Sequence, residues 1–98
     1  MQTYMQRTKL VESAVLYKKT AAIAVWKGDQ GPQFKIAASQ AADEMLNIEG
    51  VQAAFTLFAD KQGIVNISGR SFGAVNVQLI MEKLGGGGHQ TMAGVQLK

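Results

Sequence analysis

Three features of the chain predict a single α/β domain over residues 1–98, a mixed or largely antiparallel sheet packed with about two to three helices. Apolar runs and alternating segments recur at strand length, two longer segments repeat their apolar residues every three to four positions, and Gly, Pro, Asp and Asn punctuate the joins.

The first segment, Thr3 to Leu10, is polar with scattered apolar positions and reads as a short entering helix. Val15-Leu16-Tyr17 and Ala21 to Trp26 follow as two strands joined around Lys18-Lys19. The near-continuous apolar character of the second predicts burial on both faces, and Gly28-Asp29-Gln30-Gly31-Pro32 predicts a turn that ends it. From Phe34 to Asn47 the spacing of Phe34, Ala38, Ala41, Met45 and Ile48 lines one helical face, with Gly50 placed to stop the chain at positive φ. Alternation from Val51 to Ala59, the turn Asp60-Lys61-Gln62-Gly63, and Ile64 to Arg70 predict a hairpin closed by a type I turn, with Arg70 at a strand end. Val77, Ile80, Met81 and Leu84 mark a helix that begins near Asn76 and is stopped by glycines, and Val95 and Leu97 suggest a terminal strand.

Composition removes several classes of chemistry. The 98 residues include no cysteine, which excludes disulfides, thiolate catalysis and Cys-based metal sites. The acids Glu12, Asp29, Asp43, Glu44, Glu49, Asp60 and Glu82 accompany one histidine, His89, so no His/carboxylate cluster is available for a two-metal site. Asp43-Glu44 reads as an exposed polar helix face with no chemistry assigned. The longest apolar run, Ala21 to Trp26, is far short of the ~20 residues that span a bilayer, and the N-terminus lacks a signal peptide's apolar segment, so this piece is expected to be soluble. A net charge of +3 favours anionic ligands in general, but the cations are scattered and form no polybasic tail.

The densest chemistry lies at the run Gly85-Gly86-Gly87-Gly88-His89, close behind Arg70-Ser71 and Asn76-Val77. Glycines permit positive φ and close approach of the main chain, successive N–H groups can form a concave nest for phosphate oxygens, and Arg70 and His89 supply counter-charge. The alternative is a capping Gly85 followed by a flexible linker. Ser71 adds a hydroxyl beside Arg70, and Asn76 fits a helix N-cap that orients the ligand loop. Trp26, Phe34, Phe55, Phe58 and the methionines read as core, while Phe72 is placed to stack on a base if exposed.

Arg70-Ser71, Asn76-Val77, an apolar helix, Gly86-Gly87-Gly88-His89 and Ala93-Gly94 together resemble the DHH-associated C-terminal domain of the DHH phosphoesterase superfamily. The ordered pattern covers essentially the whole chain. The segment Ala42 to Val51 is most similar to the membrane-anchored cyclic-di-AMP phosphodiesterases of Gram-positive bacteria. Where the pattern has two alanines before its final glycine, this chain has Met92-Ala93-Gly94.

The resemblance implies a division of labour in which a preceding DHH domain, absent here, binds two Mn²⁺ ions and cleaves the phosphodiester. This domain, holding no cofactor of its own and inactive alone, grips nucleotide and phosphate through Arg70, Ser71, Asn76, Gly86, Gly87, Gly88 and His89. The implied partners are a cyclic dinucleotide or short oligonucleotide and the DHH domain in cis, with a homodimer left open. The implied setting is cytoplasmic, in a parent anchored to the cell membrane. The alternative is the nucleic-acid-binding module of a DHH-type exonuclease, oligoribonuclease or tRNA-editing protein.

Overall fold

The structure, a computed structural model, describes residues 2–18, 20–27, 34–60, 62–73 and 75–97. Among these described residues nine elements follow one another: α1 (Gln2–Glu12), β1 (Val15–Tyr17), β2 (Ala21–Trp26), α2 (Phe34–Met45), β3 (Ala53–Ala59), β4 (Val65–Ser71), α3 (Val77–Lys83), β5 (Gly87–His89) and β6 (Met92–Leu97). The strands form one six-stranded sheet in the order β1-β2-β3-β4-β6-β5. All pairings are antiparallel except β2 with β3, which α2 connects in parallel. The sheet is therefore mixed, as the strand and helix pattern predicts.

The helices divide between the two faces. Ala22 and Ala24 of β2 and Ala54 and Phe58 of β3 pack with Phe34, Ala38, Ala41 and Met45 of α2 and with Leu10 of α1. Four buried alanines, Ala37, Ala38, Ala41 and Ala42, let α2 lie close on the strands. Thr56 faces the same helix and donates its hydroxyl to the Ala38 carbonyl at 2.9 Å. Phe34 meets Phe58 edge-on at 4.8 Å between ring centres and Trp26 at 4.9 Å, sealing one end of this core. On the opposite face, Val77 and Met81 of α3 pack on Ala93 and Val95 of β6, with Phe55 and Ile67 beside them.

Two expectations about burial change in the folded chain. Strand β2 is buried on one face only, through Ala22 and Ala24, while Val25 on the other face is 49% exposed. In helix α3 only Val77 and Met81, one turn apart, are buried, while Ile80 and the C-cap Leu84 of the expected apolar stripe stay exposed. The expected turn at Gly28 to Pro32 lies outside the described residues. Gly50 does take positive φ (87°) after α2, and Gly63 donates its N–H to the Asp60 carbonyl at 3.0 Å across the expected turn.

Candidate functional site

The glycine run divides between two structural tasks. Gly85, at φ 95°, ends α3: its N–H reaches the Glu82 carbonyl at 3.1 Å, and the Gly86 N–H reaches the Met81 carbonyl at 2.7 Å. This is the paired closure by which a left-handed residue satisfies the last carbonyls of a helix. The next residues form neither a free loop nor a linker. Gly87, Gly88 and His89 are strand β5, paired with Gly94, Ala93 and Met92 of β6 across the two-residue turn Gln90-Thr91. Backbone proximity demands glycine here: a Cβ on Gly88, which sits at φ 141°, would come within 2.5 Å of the Ala93 Cα and the Met92 carbonyl oxygen. A Cβ on Gly86 would collide with the Gly94 carbonyl and Val95. One on Gly87 would meet nothing within 4 Å. As the last strand of the sheet, β5 also directs alternate N–H groups outward.

Register then assembles the cationic groups. Arg70 of β4 pairs with Met92 of β6, and Met92 pairs with His89 of β5, so the three side chains stand in one row on one face, with about 10 Å between the outer Cα atoms. Arg70 is also paired with Ala54, whose side chain packs toward α2, which fixes the face as the α2 side. Helix α2 packs over β3 and β4, and among the described residues no helix covers β6 and β5 on that side. The row is thus open over its outer two strands. Met92, which replaces an alanine of the expected pattern, is half exposed between the arginine and the imidazole.

Arg70 is only 8% exposed, so its direction is set by the protein. Its Nη1 donates to the Gly69 carbonyl at 2.9 Å, and its Nε lies 2.9 Å from Asp43 Oδ1. That approach pairs the charges, but the N–H points off the oxygen and forms no aligned hydrogen bond. The guanidinium is thereby held at the margin of α2 with donors still to place. Asp43, on the polar face of α2, is the residue that holds it. Its neighbour Glu44 pairs with Arg7 of α1 at 3.4 Å. Nothing local in the sequence signals a partnership between a helix carboxylate and a strand arginine so far along the chain.

Ser71 and Asn76 are placed away from this row. Ser71 follows Arg70 and so faces the α3 side, where its hydroxyl donates to the Val75 carbonyl at 2.6 Å, accepts from the Gly73 N–H and lies 3.3 Å from the Gln90 carbonyl. It ties the bend after β4 to the β5–β6 turn. Gln90 reinforces this by donating to the Gly73 carbonyl at 3.0 Å while its own carbonyl accepts from the Val77 N–H. Asn76 caps α3, its side-chain oxygen accepting from the Leu79 N–H at 3.2 Å. Phe72 stands 67% exposed at the end of β4, unlike Phe34 and Phe58 in the core. Among the described residues no group of three or more His, Cys, Asp or Glu side chains converges, and no helix is long and apolar enough to cross a membrane.

Residues 18–98 match the family model described as the DHHA1 domain. The chain belongs to the DHHA1 domain family. Across 97 residues, 98% of its length, this DHHA1 domain is 50% identical to the cyclic-di-AMP phosphodiesterase PdeA of Listeria monocytogenes, and it is 44% identical over 96 residues to the cyclic-di-AMP phosphodiesterase GdpP of Bacillus subtilis. It spans only 14% and 15% of those proteins. Among solved structures, an exopolyphosphatase-related protein from Bacteroides fragilis superposes with a TM-score of 0.79 at 21% identity, covering 94% of this chain and 28% of that one. A pGpG-specific phosphodiesterase, PggH, from Vibrio cholerae gives a TM-score of 0.61 at 13% identity, over 97% of this chain and 34% of its own. These two likenesses are of fold. The DHHA1 domain is thus a segment that recurs within much longer chains.

Proposed function

We propose that this DHHA1 domain is the substrate-gripping lobe of a cyclic-di-AMP phosphodiesterase, binding a phosphate of the dinucleotide on the open row formed by Arg70 and His89. The observation that carries the reading is the register of β4, β6 and β5, which brings two residues far apart in the chain into one row on an uncovered face. Arg70 offers a planar, pre-oriented cation, and His89 is an exposed imidazole that donates to a phosphate oxygen in either tautomer. The outward N–H groups of β5 add neutral donors. Ser71 and Asn76 serve by holding the bend, the turn and α3 in place around these groups.

Among the described residues no group of three or more His, Cys, Asp or Glu side chains converges. Manganese and the bond-breaking chemistry are assigned to a DHH domain elsewhere in a longer, membrane-anchored protein, and no step of hydrolysis is assigned to this chain. Its contribution is orientation: a phosphate clamped at Arg70 and His89 presents its neighbouring phosphodiester to the catalytic lobe at fixed geometry. Three charge-assisted hydrogen bonds at ~1.5–3 kcal/mol each exceed the ~4 kcal/mol minimum cost of association by only a few kcal/mol. The isolated domain is therefore expected to bind in the millimolar to high-micromolar range, with tight binding restored when the second lobe holds the other phosphate.

The test is a ¹⁵N-HSQC titration of the chain with cyclic-di-AMP, the linear diadenylate and oligonucleotides of increasing length at matched ionic strength. Shifts that cluster at Arg70, Gly87, Gly88, His89 and Met92 with the dinucleotides support the reading. Affinity that climbs with oligonucleotide length and falls steeply with salt replaces it with a nucleic-acid module. Silence at Arg70 and His89 with every ligand at millimolar concentration refutes the site.

A further inference from the structure

Two more rows of residues cross the open face beyond Arg70, Met92 and His89. Ser68, Gly94 and Gly87 form the second, and Asn66 and Gln96 the third, at intervals of about 7 Å along the strands. The second row is almost bare of side chains. A cavity of about 420 Å³ lies over Ser68 and Gly94 of this row and over the third row, lined by these residues with Lys35, Asn66 and Gln96 and, at its margins, by Ile67, Gly85 and Val95. It adjoins the cationic row, and the distance from that row to the amides is about two strand repeats, suited to a nucleoside laid along β4 and β6.

The geometry points to a nucleobase subsite in this cavity, with an adenine resting on the shelf of Ser68 and Gly94 and its edge read by Gln96. The inference deepens the proposed function and rests on it. Its chemical content lies in an ordered chain of amides. The Ile64 carbonyl can only accept, so the Asn66 Nδ2 that lies 3.1 Å away must be its donor, with Asp60 Oδ2 3.4 Å from the same nitrogen. Asn66 is 5% exposed and cannot turn freely, so its Oδ1 faces Gln96 and accepts from Nε2 at 2.9 Å. That bond sets the sense of the exposed Gln96 carboxamide, leaving one N–H and Oε1 to face a ligand. A donor beside an acceptor complements the amino group and N7 of adenine, whereas the O6 and N7 edge of guanine presents two acceptors and sets one of them against Oε1. The bare shelf admits a planar ring, because glycine and serine leave no bulk above the strands. Lys35 closes the cavity on the α2 side.

The experiment titrates the ¹⁵N-labelled chain, and its Gln96→Leu variant, with AMP, GMP and inorganic phosphate. All three probes are expected to shift Arg70 and His89. AMP alone is expected to shift the side-chain amide signals of Gln96 and Asn66, and Gln96→Leu to reduce the AMP over GMP preference about tenfold while leaving the phosphate response intact. Gln96→Leu also takes the donor from the buried Asn66 Oδ1, so its melting temperature is expected to fall by several degrees, while amide shifts that match wild type away from residue 96 check that the fold is retained. If AMP shifts Arg70 and His89 but leaves both amides still, or if the AMP to GMP ratio survives Gln96→Leu, the base subsite is overturned and the phosphate site stands. If no probe shifts Arg70 or His89, the proposed function fails and the subsite with it.

Discussion

Substituting the glycines of β5 and its approach one at a time separates packing from ligand contact. At Gly88 the added Cβ meets main-chain atoms of Met92 and Ala93 at 2.5 Å, and the residue sits at φ 141°. The backbone conformation costs a non-glycine residue ~1–2 kcal/mol, and forcing β5 away from β6 adds ~1–3 kcal/mol. Gly88→Ala is therefore expected to lose about 2–5 kcal/mol, a fall of about 10 °C or more in Tm for a domain of this size. Gly86→Ala, which collides with Gly94 and Val95, behaves likewise. Gly87→Ala meets no atom within 4 Å, so its stability stays within about 1 kcal/mol of wild type. Its methyl instead projects onto the open face beside Gly94 and weakens dinucleotide binding about fivefold, or ~1 kcal/mol. Thermal melts followed by circular dichroism, paired with the HSQC titration, read both quantities. Equal stability losses at all three positions, or a neutral Gly88→Ala, would refute the strand assignment and restore a flexible loop.

Other consequences follow from single contacts. Arg70→Lys keeps the charge but gives up the planar fork shared between the Gly69 carbonyl, Asp43 and a ligand, so phosphate affinity falls about tenfold with a small change in Tm; an unaltered titration curve would remove Arg70 from the site. Asn76→Ala deletes the α3 cap and lowers stability by ~1 kcal/mol, about 4–8 °C in Tm, while nucleotide affinity per folded molecule is unchanged; a binding loss at constant stability would make Asn76 a ligand contact. At Asp60, burial raises the carboxyl pKa, but hydrogen bonds from the Ile64 and Gln62 N–H groups and from Asn66, together with the Lys35 charge, outweigh it and hold the pKa below its ordinary 3.8. A depressed folded-state pKa contributes stability above the unfolded value that is lost as pH falls through the folded one. Urea midpoints of wild type and Asp60→Asn should accordingly differ at neutral pH and converge only in acid below the ordinary carboxylate range, and a gap that stays constant well below that range would contradict the turn geometry.

Much of the architecture was legible along the chain because its signals are local. Alanine and aromatic spacing from Phe34 to Met45 encodes α2, Asp60 and Gly63 encode the hairpin turn, and Asn76 and Gly85 bracket α3 through capping preferences that act within four residues. Arg70, His89 and the glycines stood out by residue type. Their arrangement did not, since four consecutive glycines are equally compatible with a nest, a linker or a strand until β6 lies alongside. The roles of Asp43 and Gln96 are hidden for the same reason: each looks like an ordinary exposed polar residue until Arg70 or Asn66 is brought to it.

Short-range periodicity and turn chemistry thus prescribed the elements other than β5, their order and the set of chemically capable residues, because helices, caps and tight turns are stabilised by neighbours in sequence. Tertiary structure decided which face each residue serves. The insertion of β6 between β4 and β5 places Arg70, Met92 and His89 in one row, turns Ser71 to the opposite side and leaves the Gly94 and Gly87 shelf uncovered. Such a choice depends on strand register, and the hydrogen bonds that set register join residues whose proximity no local pattern records.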